Sequence, residues 1–416
     1  MKLNQLTVAI LAAGFAAQAS AAGFALSEQS VSANGTANAG RASDAVDASV
    51  VYNNPAAMHK LKQAQITTNV SFIDADTKIK NQSVAPPALA ATGNSKGDIV
   101  PHSFIPSGYF TSGDQGGWAW GVGAYSGFGL KTNHNDGFAG RYLGNKSDVK
   151  IMTVQPTVSY KLHDKLSVGV GATINKLEAY LSSNPADALG AFALGKNAGR
   201  VQIEGDDMGY GFNLALHSDV TENTQVGLVY RSKVKYKIDD GEIRLGVGFG
   251  PAAGEFDAST AISTPESVEL GITHALSQKT KLHATSSWTR WSRFKSLDVD
   301  NGSLLGAQSE EFNWKDSMAY AVGVSHALDD KLTVRAGLAY DNTPVAPADR
   351  GVRLPSGDRR VASVGAGYAL TPNQVVDVSY MYIDEERADV NRPADGYAAT
   401  FQNSASIYGV QYTLKF

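Results

Sequence analysis

The residue types that could do chemistry are present in this chain, but their spacing argues against most of it. Gly190 to Lys196 spells G-x-x-x-x-G-K, the start of a loop whose backbone amides cradle phosphates. Asn197 follows, so the hydroxyl that would hold magnesium is missing, and no strand–helix alternation surrounds it. The eight histidines are scattered without metal-ligand spacing; His102, His134, His217 and His274 read as lumenal or loop residues. Carboxylate pairs suited to acid–base work, Asp206-Asp207 and Glu385-Glu386, fall at segment ends and read as solvated. The serines are read as carrying no nucleophile elbow. There is no cysteine, which excludes disulfides and thiolate chemistry. The expectation is a chain that is not an enzyme and holds neither metal nor cofactor.

Other bulk features narrow the class. Lys2, the apolar stretch Leu6 to Ala17 and the small residues Ala19-Ser20-Ala21 form a secretory leader over residues 1–21. Cleavage after Ala21 would start the mature chain at Ala22-Gly23-Phe24. Beyond the leader no run of about 18 apolar residues occurs, so helical membrane spans are excluded. With 36 Lys+Arg against 40 Asp+Glu, the net charge of -4 gives no reason to expect nucleic acid as a partner.

The elements that must position any functional residue follow from periodicity. Residues 22–63 are rich in Ala, Ser, Asn and Gly and too poor in large apolar residues to bury a core of their own, so they need a host. From about residue 64 to Phe416 a period of two prevails. Leu332, Val334, Ala336, Leu338 and Tyr340 alternate with polar or small neighbours, as do Tyr408, Val410, Tyr412, Leu414 and Phe416. Segments of about ten residues with one apolar face, ending on an aromatic residue, predict an all-β transmembrane antiparallel barrel, since lipid tolerates only a closed ladder. Residues 177–207 and 242–262 read as long external connections. They carry apolar residues where porin loops are polar: Leu189, Phe192 and Leu194 in one, Leu245, Val247 and Phe249 in the other. Such patches predict contact with an apolar ligand, the alternative being that the two loops pack on each other.

At several places, in order along the chain, the sequence resembles the FadL-type outer-membrane transporters. Gly23-Phe24-Ala25-Leu26-Ser27-Glu28-Gln29-Ser30 and Asn54-Pro55-Ala56 look like the family's N-terminal hatch. Gly127-Phe128-Gly129-Leu130-Lys131-Thr132 with Gly140-Arg141-Tyr142 is similar to its third-strand region. Tyr230 to Lys235, Trp288 to Phe294 and the stretch from Trp314 to Arg359 continue the match. The resemblance implies fourteen strands, a lumen plugged by residues 22–63, and a Gram-negative outer-membrane location. It also implies a monomer surrounded by outer-membrane lipid and lipopolysaccharide. Its implied route starts in the groove between the two apolar loops and enters a pocket holding Ala22, Gly23 and Phe24. The exit is sideways through a gap made by an inward kink at Ser126-Gly127-Phe128-Gly129, with Asn54 as the hatch residue contacting that kink. Glycines suit such a kink, because they permit backbone that breaks a ladder.

The implied cargo is a long-chain fatty acid or another hydrophobic small molecule, moving passively. Where the family offers basic residues to a carboxylate, this chain shows Ser182-Ser183 and Ser309-Glu310-Glu311. Arg290, Arg293, Arg335 and Arg350 are the substitutes the sequence suggests, and a monoaromatic hydrocarbon needs no such partner. A water-filled porin and a lipid hydrolase are the competing classes. The tryptophans of Trp288-Thr289-Arg290-Trp291 read as an interfacial girdle.

Overall fold

A computed structural model describes residues 23–86, 93–189, 194–195, 198–303 and 305–416, with the side chains of residues 188 and 189 excepted. The expected leader, Ala22, Phe192 and most of the G-x-x-x-x-G-K stretch lie outside the described residues.

Fourteen antiparallel strands form one closed sheet. They are β1 (Gln65–Val84), β2 (Ser103–Thr111), β3 (Trp118–Asn133), β4 (Lys146–His163), β5 (Leu166–Ser183) and β6 (Val201–Asp219). Next come β7 (Thr224–Arg231 and Val234–Leu245), β8 (Gly254–Thr264 and Ser267–Ala275), β9 (Thr280–Thr289 and Ser296–Asn301) and β10 (Gln308–Glu311 and Ser317–Ala327). The set ends with β11 (Leu332–Asp341), β12 (Arg359–Thr371), β13 (Gln374–Glu385 and Ala388–Arg392) and β14 (Tyr397–Lys415). β1 closes the sheet on β14, from Gln65 opposite Lys415 upward.

The alternation is inside-out relative to a soluble protein. On β1, Thr67, Asn69 and Ser71 are buried in the lumen while Ile66 and Val70 stand exposed. That is what lipid outside and polar packing inside require. Short turns join the strands at one end and longer connections at the other, the latter being the external end of such barrels. The two apolar connections are shorter than expected. Ser183 pairs with Val201 and Leu245 with Gly254, so the strands run on past the bilayer and leave only 184–200 and 246–253 as loops. Ladder pairing continues because each rising strand there has a full-length partner.

Residues from Phe24 to Lys60 bond to the inner face of the wall on many strands. Val31 N donates to Gln411, Arg41 to Glu269, Gln155 to Val51 O, Ser167 to Ala56 O and His217 contacts Ser43 O. Wall glycines allow backbone to approach backbone. A Cβ on Gly337 would lie 2.1 Å from the Thr36 carbonyl, and one on Gly227 would lie 1.7 Å from Ala42 O.

Candidate functional site

At the external end, the turn Val247–Ala252 lies against the turn Pro185–Leu189. Gly246 N and Gly248 N donate to Arg200 O and Ala198 O, tying the two connections together. Leu194 and Val247 remain 70 % exposed, whereas Leu245 is buried with Val201, Ile243 and Val299, and Phe249 packs half-buried against that cluster. The loops therefore both pack on each other and offer apolar surface to solvent. Leu189 ends its turn, its side chain outside the described set.

Beneath this cap lies an apolar cavity of about 60 Å³, walled by Leu177, Ile203, Ile238 and Val299 among others. It shares Val149, Leu181, Ile262 and Leu297 with a second cavity of about 80 Å³. Phe24 forms part of the second cavity's lining together with Phe294, Phe312 and Trp314. The Phe24 ring sits 4.9 Å from Trp291, 5.5 Å from Phe294, 5.8 Å from Phe128 and 6.1 Å from Trp314. Gly23 (φ +74°) lies flat on Trp291, where a Cβ would come within 2.5 Å of the indole. Below this cage is a chamber of about 210 Å³, bounded by Ala25, Leu26, Gly127, Phe128 and Trp291. Trp291 is thus a lumenal residue and not part of a girdle. A turn at Trp291–Arg293 interrupts β9 and swings the indole inward, while Trp288 stays on the outward face opposite Val268.

The chamber's outer wall is defective at one place. The β2–β3 ladder ends at Gly108 opposite Ala124, so Ser103–Ser107 pair only with β1. On its other side β3 carries a bulge between Tyr125 and Phe128, where Ser126 and Gly127 lose their β4 partners. The predicted kink residues Ser126, Gly127, Phe128 and Gly129 fall on this irregularity. The N-terminal segment binds it directly, with Ala25 opposite Phe128 in an antiparallel bridge. Leu26 N donates to Gly127 O at 3.0 Å and Gly129 N to Phe24 O at 2.8 Å. Gln29 Nε2 donates to Ser126 O at 2.5 Å.

Asn54 stands elsewhere. Its side-chain amide donates to Ala42 O and Leu216 O and accepts from Ala56 N, capping the turn Pro55–Lys60 against β5 and β6. Asn54, Pro55 and Ala56 form a buried anchor, and the residues bonded to the kink are Phe24, Leu26 and Gln29. The Asn54 amide is fully engaged in holding its own turn.

Two charged groups flank the route. The Glu28 carboxyl is buried and its pKa is raised by that burial, against hydrogen bonds from Ser27. Arg353, in the connection after β11, forms part of the lining of the second cavity with its side chain only 13 % exposed. Burial lowers its pKa, opposed by Glu310 at 3.6 Å. Its Nη1 donates to Ser182 O and Lys146 O, while Nε is buried without a hydrogen-bond partner among the described residues. The suggested substitutes are engaged otherwise. Arg290 and Arg293 pair with Glu266, Arg335 with Asp377, and Arg350 donates to Ser356 O. Sequence alone had no signal for Arg353, which reaches Ser182 and Glu310 only through the fold.

One serine, Ser95, does stand in a G-x-S-x-G pentapeptide, Gly93 to Gly97, but on an irregular connection with no strand-to-helix turn to make an elbow. Among the described residues no group of acidic, histidine or cysteine side chains could hold a metal ion.

Comparison with known proteins agrees with this geometry. Residues 12–416 match the family model of outer membrane protein transport proteins (OMPP1/FadL/TodX). A long-chain fatty acid transport protein of Escherichia coli is 26 % identical, with 98 % of each chain covered. The fold is shared with a Pseudomonas aeruginosa FadL homologue, at 22 % identity and a TM-score of 0.84 over 95 % of this chain and all of that one. It is shared with the toluene transporter TodX of P. putida as well, at 17 % identity and a TM-score of 0.69 over 92 % and 97 % of the two chains. The chain belongs to the OMPP1/FadL/TodX family, whose members are transport channels of the Gram-negative outer membrane and not enzymes.

Proposed function

We propose that this transporter takes up long-chain fatty acids passively, capturing them at the apolar external turns and releasing them sideways between β2 and β3. The observation that carries the reading is a series of chambers that ends at a latch on the wall's defect. An amphiphile needs such a path because each methylene kept out of water is worth about 0.8 kcal/mol. The Phe24 cage is the gate: a chain entering it displaces Phe24, and with Phe24 go the backbone bonds that close the kink.

Arg353 supports a carboxylate cargo. It is an under-compensated guanidinium on an apolar cavity, able to exchange its loose contact with Glu310 for a ligand carboxylate. A flat neutral hydrocarbon fits the aromatic cage and would ignore that charge, which is the second reading. The test is competitive uptake of oleate and toluene by cells carrying Arg353→Gln or Arg353→Lys. Loss of a charge-assisted bond, about 1.5–3 kcal/mol, should raise the half-saturating oleate concentration about tenfold or more in the glutamine variant. The lysine variant should keep most of the affinity, and toluene uptake should be unchanged. Equal effects on both ligands would remove the fatty-acid assignment.

A further inference from the structure

Four neighbouring strands break at one height. β7 is interrupted between Arg231 and Val234, β8 between Thr264 and Ser267, β9 between Thr289 and Ser296, and β10 between Glu311 and Ser317. The registers align these breaks, since Ser267 faces both Arg231 and Thr289, and Thr289 faces Ser317. The interrupting residues carry Lys233, Arg290, Arg293, Lys295 and Lys315 against only Glu266 and Asp316. That is a surplus of three positive charges on a patch of a chain whose net charge is -4. All five basic residues are exposed, and Lys233, Lys295 and Lys315 make no ion pair among the described residues.

The patch has a definite height in the membrane. Directly on its short-turn side, the last outward-facing residues are Tyr230 on β7, Val268 on β8, Trp288 on β9 and Met318 on β10, with Tyr320, Leu228, Leu270 and Ile272 below them. Tyr and Trp collect where hydrocarbon meets headgroups. The cations therefore begin where the outer leaflet's headgroups begin, on the external side. Adjacent strands are about 4.8 Å apart, so Lys233 on β7 and Lys315 on β10, three spacings from each other, bracket a patch roughly 14 Å wide with Arg290 between them. Arg290 and Arg293 are held in place by the buried Glu266, Arg290 at 3.2 Å, which fixes two guanidinium groups at the surface.

We propose that this patch is a binding site for the phosphorylated headgroup of lipopolysaccharide, with lipid A phosphates lying on Arg290, Arg293 and the three lysines. Phosphate suits the arrangement, since guanidinium groups meet it with two parallel donors and ammonium groups as point charges. The site is separate from the ligand route. Its basic residues lie on the outer face of β7–β10, and the lateral gap lies between β2 and β3.

The test uses the purified full-length protein with defined lipids, read by native mass spectrometry. Wild type should retain diphosphoryl lipid A at least tenfold better than the Lys233→Ala/Lys295→Ala/Lys315→Ala variant. Those lysines do not partner Glu266, so the variant should keep the heat-modifiable mobility of an intact barrel. Arg293→Gln, which leaves Arg290 to satisfy Glu266, should weaken retention independently. A control that removes Lys165, Lys279 and Lys331 at the opposite end lowers the charge equally and should retain lipid A like wild type. Equal retention by wild type and the lysine variant would overturn the proposal. So would retention that does not change when dephosphorylated lipid A or phosphatidylcholine replaces the diphosphoryl form.

Discussion

If the N-terminal segment is the gate, a covalent bond across the Ala25–Phe128 bridge should stop transport in a folded barrel. The two residues form a non-hydrogen-bonded antiparallel pair, flanked by the Leu26–Gly127 and Phe24–Gly129 bonds. Such pairs have Cα atoms about 4.5 Å apart, within the roughly 4.4–6.8 Å a disulfide accepts. The chain has no cysteine of its own, so Ala25→Cys/Phe128→Cys can cross-link only there. Without the bond, opening must undo two backbone hydrogen bonds at about 1 kcal/mol each, the burial of Phe24 at about 2 kcal/mol, and ring contacts worth about 2 more. That total of about 6 kcal/mol is offset by roughly eight methylenes of ligand, so an eighteen-carbon acid opens the latch with energy to spare. No chain length can offset a covalent bond. Oleate uptake by cells lacking other such transporters should fall to background when the pair is oxidised and return on adding dithiothreitol. A second pair, Ser43→Cys/Thr273→Cys, replaces hydroxyls 2.8 Å apart and pins the lumenal segment to β8 without touching the latch. Its oxidation should leave uptake intact. Full transport by protein whose 25–128 disulfide is verified by peptide mapping would refute the gate. Loss of transport in the 43–273 protein alone would mean that the segment moves as a body and the exit is axial.

Two further predictions follow from the same contacts. Phe24→Ala removes the caged ring, about 4 kcal/mol of the opening cost, and should lower the shortest transported acid by about five methylenes; an unchanged cut-off across a six- to eighteen-carbon series would count against the cage as gate. Gly337→Val places a side chain where Thr36 backbone lies at 2.1 Å, on a strand that favours valine, so the barrel should form with its lumenal segment displaced. Liposomes carrying it should swell in small sugars where wild type does not, and equal impermeability would show that the seat is not needed to close the lumen.

How much of this was legible in the sequence depended on whether a feature was local. Strand alternation such as Leu332 to Tyr340 is local, because the pleat gives each residue one face, and it sufficed for the barrel. The irregularity at Ser126 and Gly127 was expected only through the family resemblance, its glycines being compatible with a kink and not a signal for one. Partners were not. Asn54 reads as a turn residue beside Pro55, and nothing in its neighbourhood reveals that its amide closes on Ala42 and Leu216 while Gln29 takes the kink. Trp288 and Trp291 sit three apart and look alike, yet one turn at Trp291–Arg293 sends them to opposite faces. Arg353 was passed over in favour of Arg350 because sequence distance from Ser182 and Glu310 says nothing about the loop that brings it to both.

The coupling of latch and gap has a physical basis beyond sequence order. Backbone groups facing hydrocarbon must find partners, and a wall that abandons its ladder at Ala124 leaves the facing edge of β3 without the partners β2 would have given. The carbonyls of Ser126 and Gly127 and the amide of Gly129 are satisfied instead by Gln29, Leu26 and Phe24. The N-terminal segment is in effect the missing strand, supplied from inside. Removing it exposes the same polar groups that an opening must expose, so the open state is costly unless something else occupies the edge. On the proposed route, a fatty acid leaving through the gap would bring an apolar tail to the lipid side and a polar end to the lumen. On that proposal, closure in the resting state and opening under load would follow from one set of hydrogen bonds, so breaking the Phe24–Gly129 and Leu26–Gly127 pair by any route other than a ligand should leave the wall leaky to lipid as well as to cargo.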